Sequence, residues 1–275
     1  MKIMINFCFK IFADTAEAGR AADILVRELN DRAAAVRTET REGADIALLT
    51  DPAICRDGYR IEDDFKSTSL IASGIRGHIF AIGMLLRKLE KDGCGVRLGD
   101  IAGSYAPDKR IRGHQIGYRT TPNTYDAWSY EDYRRYYLDM MFFGVNTVEH
   151  IPYEKGVSNR NSLMQYDEEE FLVEAARIAD EYDLDVSVWH PNNDGETVSE
   201  AAERRGKLYE RVPRLDVVFP PGGDPGEFEA EEFIERCRAI SNELKRSHPN
   251  AEMWPSAQQP HSIPAWGEDL IKELE

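Results

Sequence analysis

Cysteine is sparse: four in 275 residues, and none of Cys8, Cys55, Cys94 or Cys237 stands in a CxxC pair or at a Cys/His ligand spacing. That argues against a disulfide framework and a zinc site, and leaves buried free thiols as the expectation. No apolar run approaches the length of a membrane span. Residues 1–9 are too short for a signal-peptide core and read as a first strand, so the chain as it stands is expected in the cytoplasm, with secretion open if a segment precedes it. GxGxxG, P-loop, HExxH and GxSxG patterns are all missing. Their absence removes the motif support for a nucleotide-binding sheet, a short-range zinc protease or a serine-hydrolase elbow. Positive charge is also short: 34 Lys and Arg face 50 Asp and Glu, a net charge of −16. Nucleic acid and anionic membranes would be repelled.

What remains is an ordinary soluble composition, 42% apolar and 31% charged, in a chain long enough for one or two domains. In the first part, residues 15–32 carry Ala18, Ala21, Ala22, Leu25, Val26 and Leu29 at helical spacing. Residues 44–50, 59–61 and 69–74 read as strands, and a second helix from about Arg76 buries Ile79, Ile82, Leu85, Leu86 and Leu89, with Gly93 as its C-cap. This mixture predicts a small α+β domain over residues 1–108. From residue 109 onward the pattern becomes strand-then-helix. Strands are expected at residues 113–118, 146–151, 185–189, 215–219 and 251–254, with helices starting near Tyr130, Glu168, Thr197 and Glu229. Capping-box spacing is present at Ser129 with Asp132 and at Asp167 with Glu170. Such alternation predicts a parallel sheet, arranged either as a partial (β/α)8 barrel of about five units over residues 109–275 or as a doubly wound sheet.

The strand Leu215-Asp216-Val217-Val218-Phe219 stops at Pro220-Pro221-Gly222-Gly223-Asp224-Pro225-Gly226. Gly, Pro and Asp are ordinary turn residues, yet this is also where a barrel strand delivers a carboxylate to its active rim. The other strand ends would bring Tyr118, Arg119, Glu149, His150, Tyr153, Trp189, His190, Asn192, Trp254 and Gln258 to the same rim. Aromatic rings beside carboxylates, amides and imidazoles suit a carbohydrate, whose ring has an apolar face and a polar edge. Each residue also has a packing explanation, and the two histidines more often fill such a role. A metal held by His114, His150, His190 and Asp224 lacks any short-range ligand pair, so neither metal nor cofactor is expected.

Two segments resemble a known group. Arg112-Gly113-His114-Gln115-Ile116-Gly117-Tyr118-Arg119 and Phe143-Gly144-Val145-Asn146-Thr147-Val148-Glu149-His150 are similar to the first two barrel strands of β-N-acetylhexosaminidases of glycoside hydrolase family 20. The preceding domain, most clearly residues 71–87, resembles the one before the barrel in those enzymes and in α-glucuronidases. The resemblance implies a glycosidase fold and a pyranoside substrate, an amino sugar or a uronic acid. It makes Arg119 the sugar-holding arginine and Asp224 the aspartate of the family's Gly-Gly-Asp-Glu. Pro225 stands in place of the glutamate and cannot donate a proton. Glu149 or Glu227 is then the candidate for a second carboxyl group. Catalytic roles are therefore expected for Asp224 and Glu149, and substrate contacts for Arg119, Tyr118, His150, Trp189, His190, Trp254 and Gln258. Five units fall short of the eight of a closed barrel, so the reading includes a truncated or non-catalytic remnant, and self-association to cover an open edge.

Overall fold

The computed structural model describes residues 8–64, 66–92, 95–116, 127–151, 163, 165–192, 195–223, 227–260 and 262–274. It divides into two compact units, Met1–Arg112 with Tyr136–Asn146, and Gly113–Arg135 with Thr147–Glu275.

The first unit is built on a six-stranded sheet. β1 (Cys8–Ala13), β2 (Ala34–Arg37), β3 (Ile46–Thr50), β4 (Tyr59–Asp63), β5 (Thr68–Ala72) and β8 (Gly103–Tyr105) lie in the order β2-β1-β3-β5-β4-β8. The first four in that order are parallel, while β4 runs antiparallel to β5 and β8. β6 (Leu89–Asp92) and β7 (Gly95–Leu98) form a separate antiparallel pair. The described part of the opening strand starts at Cys8 and runs on to Ala13, past the expected end at residue 9, while residues 1–7 lie outside the described residues. Helices α1 (Ala16–Asn30) and α2 (Ile75–Arg87) pack on each other and on the sheet. Thr15 caps α1 by accepting from Ala18 N, which relieves an orphan donor of the first turn. The α2 helix stops at Arg87, so Leu89, expected on its apolar stripe, belongs to β6 instead. Gly93 lies outside the described residues.

The second unit carries β9 (Gly113–Ile116), β10 (Thr147–His150), β11 (Asp185–Trp189), β12 (Val217–Phe219) and β13 (Glu252–Met253), all parallel. Their spatial order is β13-β12-β11-β10-β9, so each strand lies beside its successor in the chain. A doubly wound sheet reverses direction at a switch point, whereas a barrel adds strands one after another. The order is that of a partial (β/α)8 barrel. Helices α4 (Glu168–Glu181), α5 (Val198–Tyr209), α6 (Ala230–Ser247) and α7 (Trp266–Leu274) follow the strands, and α3 (Tyr130–Phe142) precedes β10. Ser129 and Asp132 bond reciprocally at the start of α3. At α4, Asp167 accepts from Glu169 N rather than closing a box with Glu170. The full box is at Thr197 with Glu200 on α5. The expected stripe on α4 is buried at Leu172, Ala175, Ile178 and Ala179. Each of the larger side chains there contributes about 1.5–3 kcal/mol of burial.

Of the cysteines, Cys237 is buried, and burial pushes its thiol up to about 12, while Cys8 and Cys55 are exposed, against the expectation of buried thiols. Among the described residues no helix is long and apolar enough to cross a membrane.

Candidate functional site

Side chains alternate between the two faces of a strand, and directly paired residues of a parallel sheet share a face. Register therefore sorts the second unit into rows. Ile116, His150, Val188 and Val218 form one row, and all are buried. This is the face that meets the helices. The His150 ring lies 5.4 Å from Phe171 of α4, edge to face. His190, two residues beyond Val188, meets Tyr209 of α5, whose hydroxyl is 3.3 Å from Nδ1. His150 is 0% exposed, and burial lowers its pKa to about 3, so the ring is neutral. The structure thus gives the two rim histidines packing positions between sheet and helices and does not bring them to the other face.

On that other face, Gln115, Glu149, Ser187, Val217 and Glu252 share a row. Glu149 lies between Gln115 and Ser187 with both oxygens engaged. Gln115 Nε2 donates to Oε1 at 2.5 Å, and Ser187 Oγ donates to Oε2 at 3.0 Å. Two neutral donors on flanking strands hold the carboxylate in one orientation.

Two residues further along the strands lies a second row. Trp189 pairs with Phe219. Trp254 continues the ladder through its backbone N to Val218 O at 2.9 Å. Its indole Nε1 donates to Glu252 Oε2 at 2.7 Å, as expected for residues i and i+2 on one face. Three aromatic rings thus line the carboxyl end of β11, β12 and β13, about 7 Å beyond the carboxylate row. All three are half-buried.

Past the strand ends, Gly222 and Gly223 make the tight approach that leads into residue 224. A Cβ on Gly222 would lie 2.3 Å from Trp266 Cη2 and 2.6 Å from Gln258 O, and one on Gly223 would lie 2.5 Å from Pro260 N. The glycine pair is there because the loop after β13 packs on it. Trp266 anchors that floor, fully buried among Phe228, Phe233 and Leu270, with its indole N–H donating to Phe228 O at 2.9 Å. Gln258 is exposed, with its backbone N bonded to Ser256 Oγ at 3.2 Å. Glu227 accepts from the Ser262 hydroxyl and from Ser262 N. Asn192, after β11, is only 2% exposed, and neither Oδ1 nor Nδ2 has a hydrogen-bond partner among the described residues. Tyr118, Arg119, Tyr153 and Asp224 lie outside the described residues.

The site therefore joins Glu149, Trp189 and Trp254 from the sequence reading with Gln115, Ser187 and Phe219, which that reading missed. The alternation Val186-Ser187-Val188-Trp189 is the signal that could have found Ser187, since it puts the hydroxyl and the indole on one face. Gln115 is recognisable only from its register with Glu149.

The similarity to known proteins lies in structure. No family model matches the chain, and no curated protein matches it either. Among solved structures it is similar to the β-N-acetylhexosaminidase of Streptomyces coelicolor A3(2), with a TM-score of 0.68 at 13% identity over 91% of this chain and 62% of that one. The fold is that of the family-20 glycoside hydrolases. The exo β-N-acetylglucosaminidase of Vibrio harveyi gives a TM-score of 0.66 at 12% identity, covering 91% of this chain and 51% of that one. The N-acetyl-β-hexosaminidase of Streptomyces plicatus gives 0.69 at 12% identity, covering 98% and 68%. The chain thus spans between half and about two thirds of these enzymes. Low identity explains why a shared fold leaves no sequence match.

Proposed function

We propose that this protein is glycoside-hydrolase-like and binds a pyranoside, an amino sugar or a uronic acid, at the carboxyl ends of β9 to β13. The observation that carries the reading is the row Trp189, Phe219 and Trp254 beside the Glu149 carboxylate. Aromatic rings supply apolar surface for the C–H face of a sugar, and fixed polar groups set its orientation. Asn192 adds to the argument. A buried amide without partners is costly unless a ligand or water satisfies it. Two proteins of similar fold were solved with N-acetylglucosamine, from Vibrio harveyi and Streptomyces plicatus. In this reading Asp224 and Arg119 are polar anchors for the sugar, Tyr118 and Gln258 border it, and Glu149 is the oriented carboxylate.

Hydrolysis needs a proton donor on the leaving oxygen. Pro225 stands next to Asp224 and carries none. That favours a second reading in which the protein binds sugar without turnover. In the catalytic reading the donor is another carboxyl group, with Glu149 and Glu227 as the candidates.

Titration of N-acetylglucosamine and methyl glucuronide, followed by tryptophan fluorescence, tests the site in wild type, Trp189→Ala and Asp224→Ala. At least tenfold weaker binding in the variants is expected. Identical affinities in all three proteins overturn the assignment. Hydrolysis of aryl N-acetylglucosaminides and aryl glucuronides then separates the readings, since a binding protein releases no aryl alcohol above background.

A further inference from the structure

A second concave site lies wholly within the first unit. It is a cavity of about 420 Å³, a volume suited to a small molecule. Tyr59 of β4 and Tyr105 of β8 stack along it, ring centroids 4.8 Å apart at 18°. Phe80, Phe143, Arg87 and Arg112 complete the part of the lining that matters here.

Its electrostatics run against the rest of the molecule. The one carboxylate among the described lining residues, Asp57, is already saturated. Arg76 NH1 donates to Oδ1 at 3.1 Å, while Arg112 NH2 and Asn146 Nδ2 donate to Oδ2 at 2.9 and 2.7 Å. Two guanidinium groups, Arg87 and Arg112, thus stand against one carboxylate in the described lining, a surplus of one positive charge in a protein of net charge −16. Arg112 is fully committed, because Nε and NH1 also donate to Gly144 O and Lys109 O, each at 2.7 Å. Arg87 is different. It lies 5.0 Å over the Phe143 ring and makes no hydrogen bond among the described residues. Phe143 itself is 75% exposed, an unusual state for a phenylalanine beside a cavity. The Tyr59 hydroxyl also makes no hydrogen bond among the described residues, and burial raises the phenol pKa, which keeps it a donor.

We propose that this cavity binds a ring compound bearing a carboxylate, with the carboxylate on the Arg87 fork and the ring among Tyr59, Tyr105 and Phe143. A guanidinium matches a carboxylate with two parallel N–H donors, and the aromatic rings supply contact for a flat or half-apolar ring. Acidic saccharides and aryl carboxylates share this chemistry. The site is independent of the rim on the second unit and does not rest on that reading.

Calorimetric titration of the whole protein with methyl β-glucuronide, 4-hydroxybenzoate and, as a neutral control, methyl β-glucoside tests it, with saturating N-acetylglucosamine present to occupy the rim of the second unit. At least one acid binds, and the glucoside binds at least tenfold more weakly. Arg87→Gln and Phe143→Ala, both exposed positions, each weaken the acid at least tenfold with circular dichroism unchanged. Arg211→Gln, an exposed position on the other unit and outside both sites, leaves it as in wild type. The stronger of the two acids identifies the source class. Binding of neither acid, equal binding of the glucoside, wild-type affinity in Arg87→Gln, or loss of the acid in Arg211→Gln would each overturn the proposal.

Discussion

Ser187 of β11 donates its hydroxyl to Glu149 of β10 at 3.0 Å, across the same row in which Gln115 of β9 holds the other carboxylate oxygen. The hydroxyl is buried and sits one layer beneath Trp189. Ser187→Ala removes one of the two groups that aim Glu149 without changing the bulk of the strand. Sugar affinity at the rim should fall about five- to tenfold, the equivalent of about 1–1.4 kcal/mol for one hydrogen bond. The unfolding midpoint should move little. Unchanged affinity in the titration would mean that Glu149 needs no positioning from β11.

Arg214 clamps the opposite end of the second unit. Its guanidinium pairs with Asp180, Asp183, Asp185 and Asp216, with N to O distances from 2.5 to 3.2 Å, and the side chain is only 13% exposed. Removing it leaves four carboxylates facing one another, so Arg214→Ala should cost about 3 kcal/mol. Arg214→Lys should rescue only part of this, because an ammonium lacks the planar fork that reaches several carboxylates at once. Urea unfolding of the two variants checks both statements. Wild-type stability in Arg214→Ala would reduce the cluster to surface pairing.

Gly83 of α2 has no room for a side chain. A Cβ there would lie 2.2 Å from Phe142 O and 2.5 Å from Phe142 Cα, and backbone cannot swing aside as a side-chain tip can. Gly83→Ala should therefore destabilise the first unit by about 2 kcal/mol or more, overriding the helix propensity gained. By contrast, Gly43 has φ 76° and nothing within 4 Å. Its alanine variant should suffer only from the backbone conformation. Thermal melts of both separate crowding from conformational strain.

Stability should fall in mild acid. His78 and His150 are fully buried. Burial lowers their pKa values from 6.5 to about 4 and about 3, although Asp14 and Glu17 partly oppose this at His78. Below pH 6.5 the unfolded chain binds protons on these rings while the native state does not. Their contribution is thus complete above pH 6.5 and is lost progressively as the pH drops towards 4 and 3. Urea midpoints measured between pH 7.5 and 5 should decline, and His150→Leu should make the decline shallower. A flat profile in wild type, or an unaltered slope in the variant, would contradict this.

Much of the fold was legible because it depends on local patterns. Helices α3 to α6 begin within a residue of where capping residues and apolar spacing put them. In the second unit β11 and β12 are apolar, valine-rich runs that stop just before Pro191 and Pro220. The strand Ala34–Arg37 was missed, being short and mostly exposed. The candidate site was legible only in part. Trp189, Trp254 and Glu149 are conspicuous at strand ends, but His150 and His190 look equally so and face the helices. Adjacent residues on a strand point to opposite faces, and sequence alone does not say which face is open.

The sequence alone determined the order of elements, the strand-then-helix repeat of the second unit and the proline beside Asp224. These follow from backbone preference and side-chain chemistry, which act over a few residues. Only tertiary structure decided that the five parallel strands add in chain order, as in a barrel. It alone aligned Gln115, Glu149 and Ser187 in one row, and it alone showed that Gly222 and Gly223 yield to the loop after β13. Register and close packing join residues tens of positions apart, and no local pattern records them.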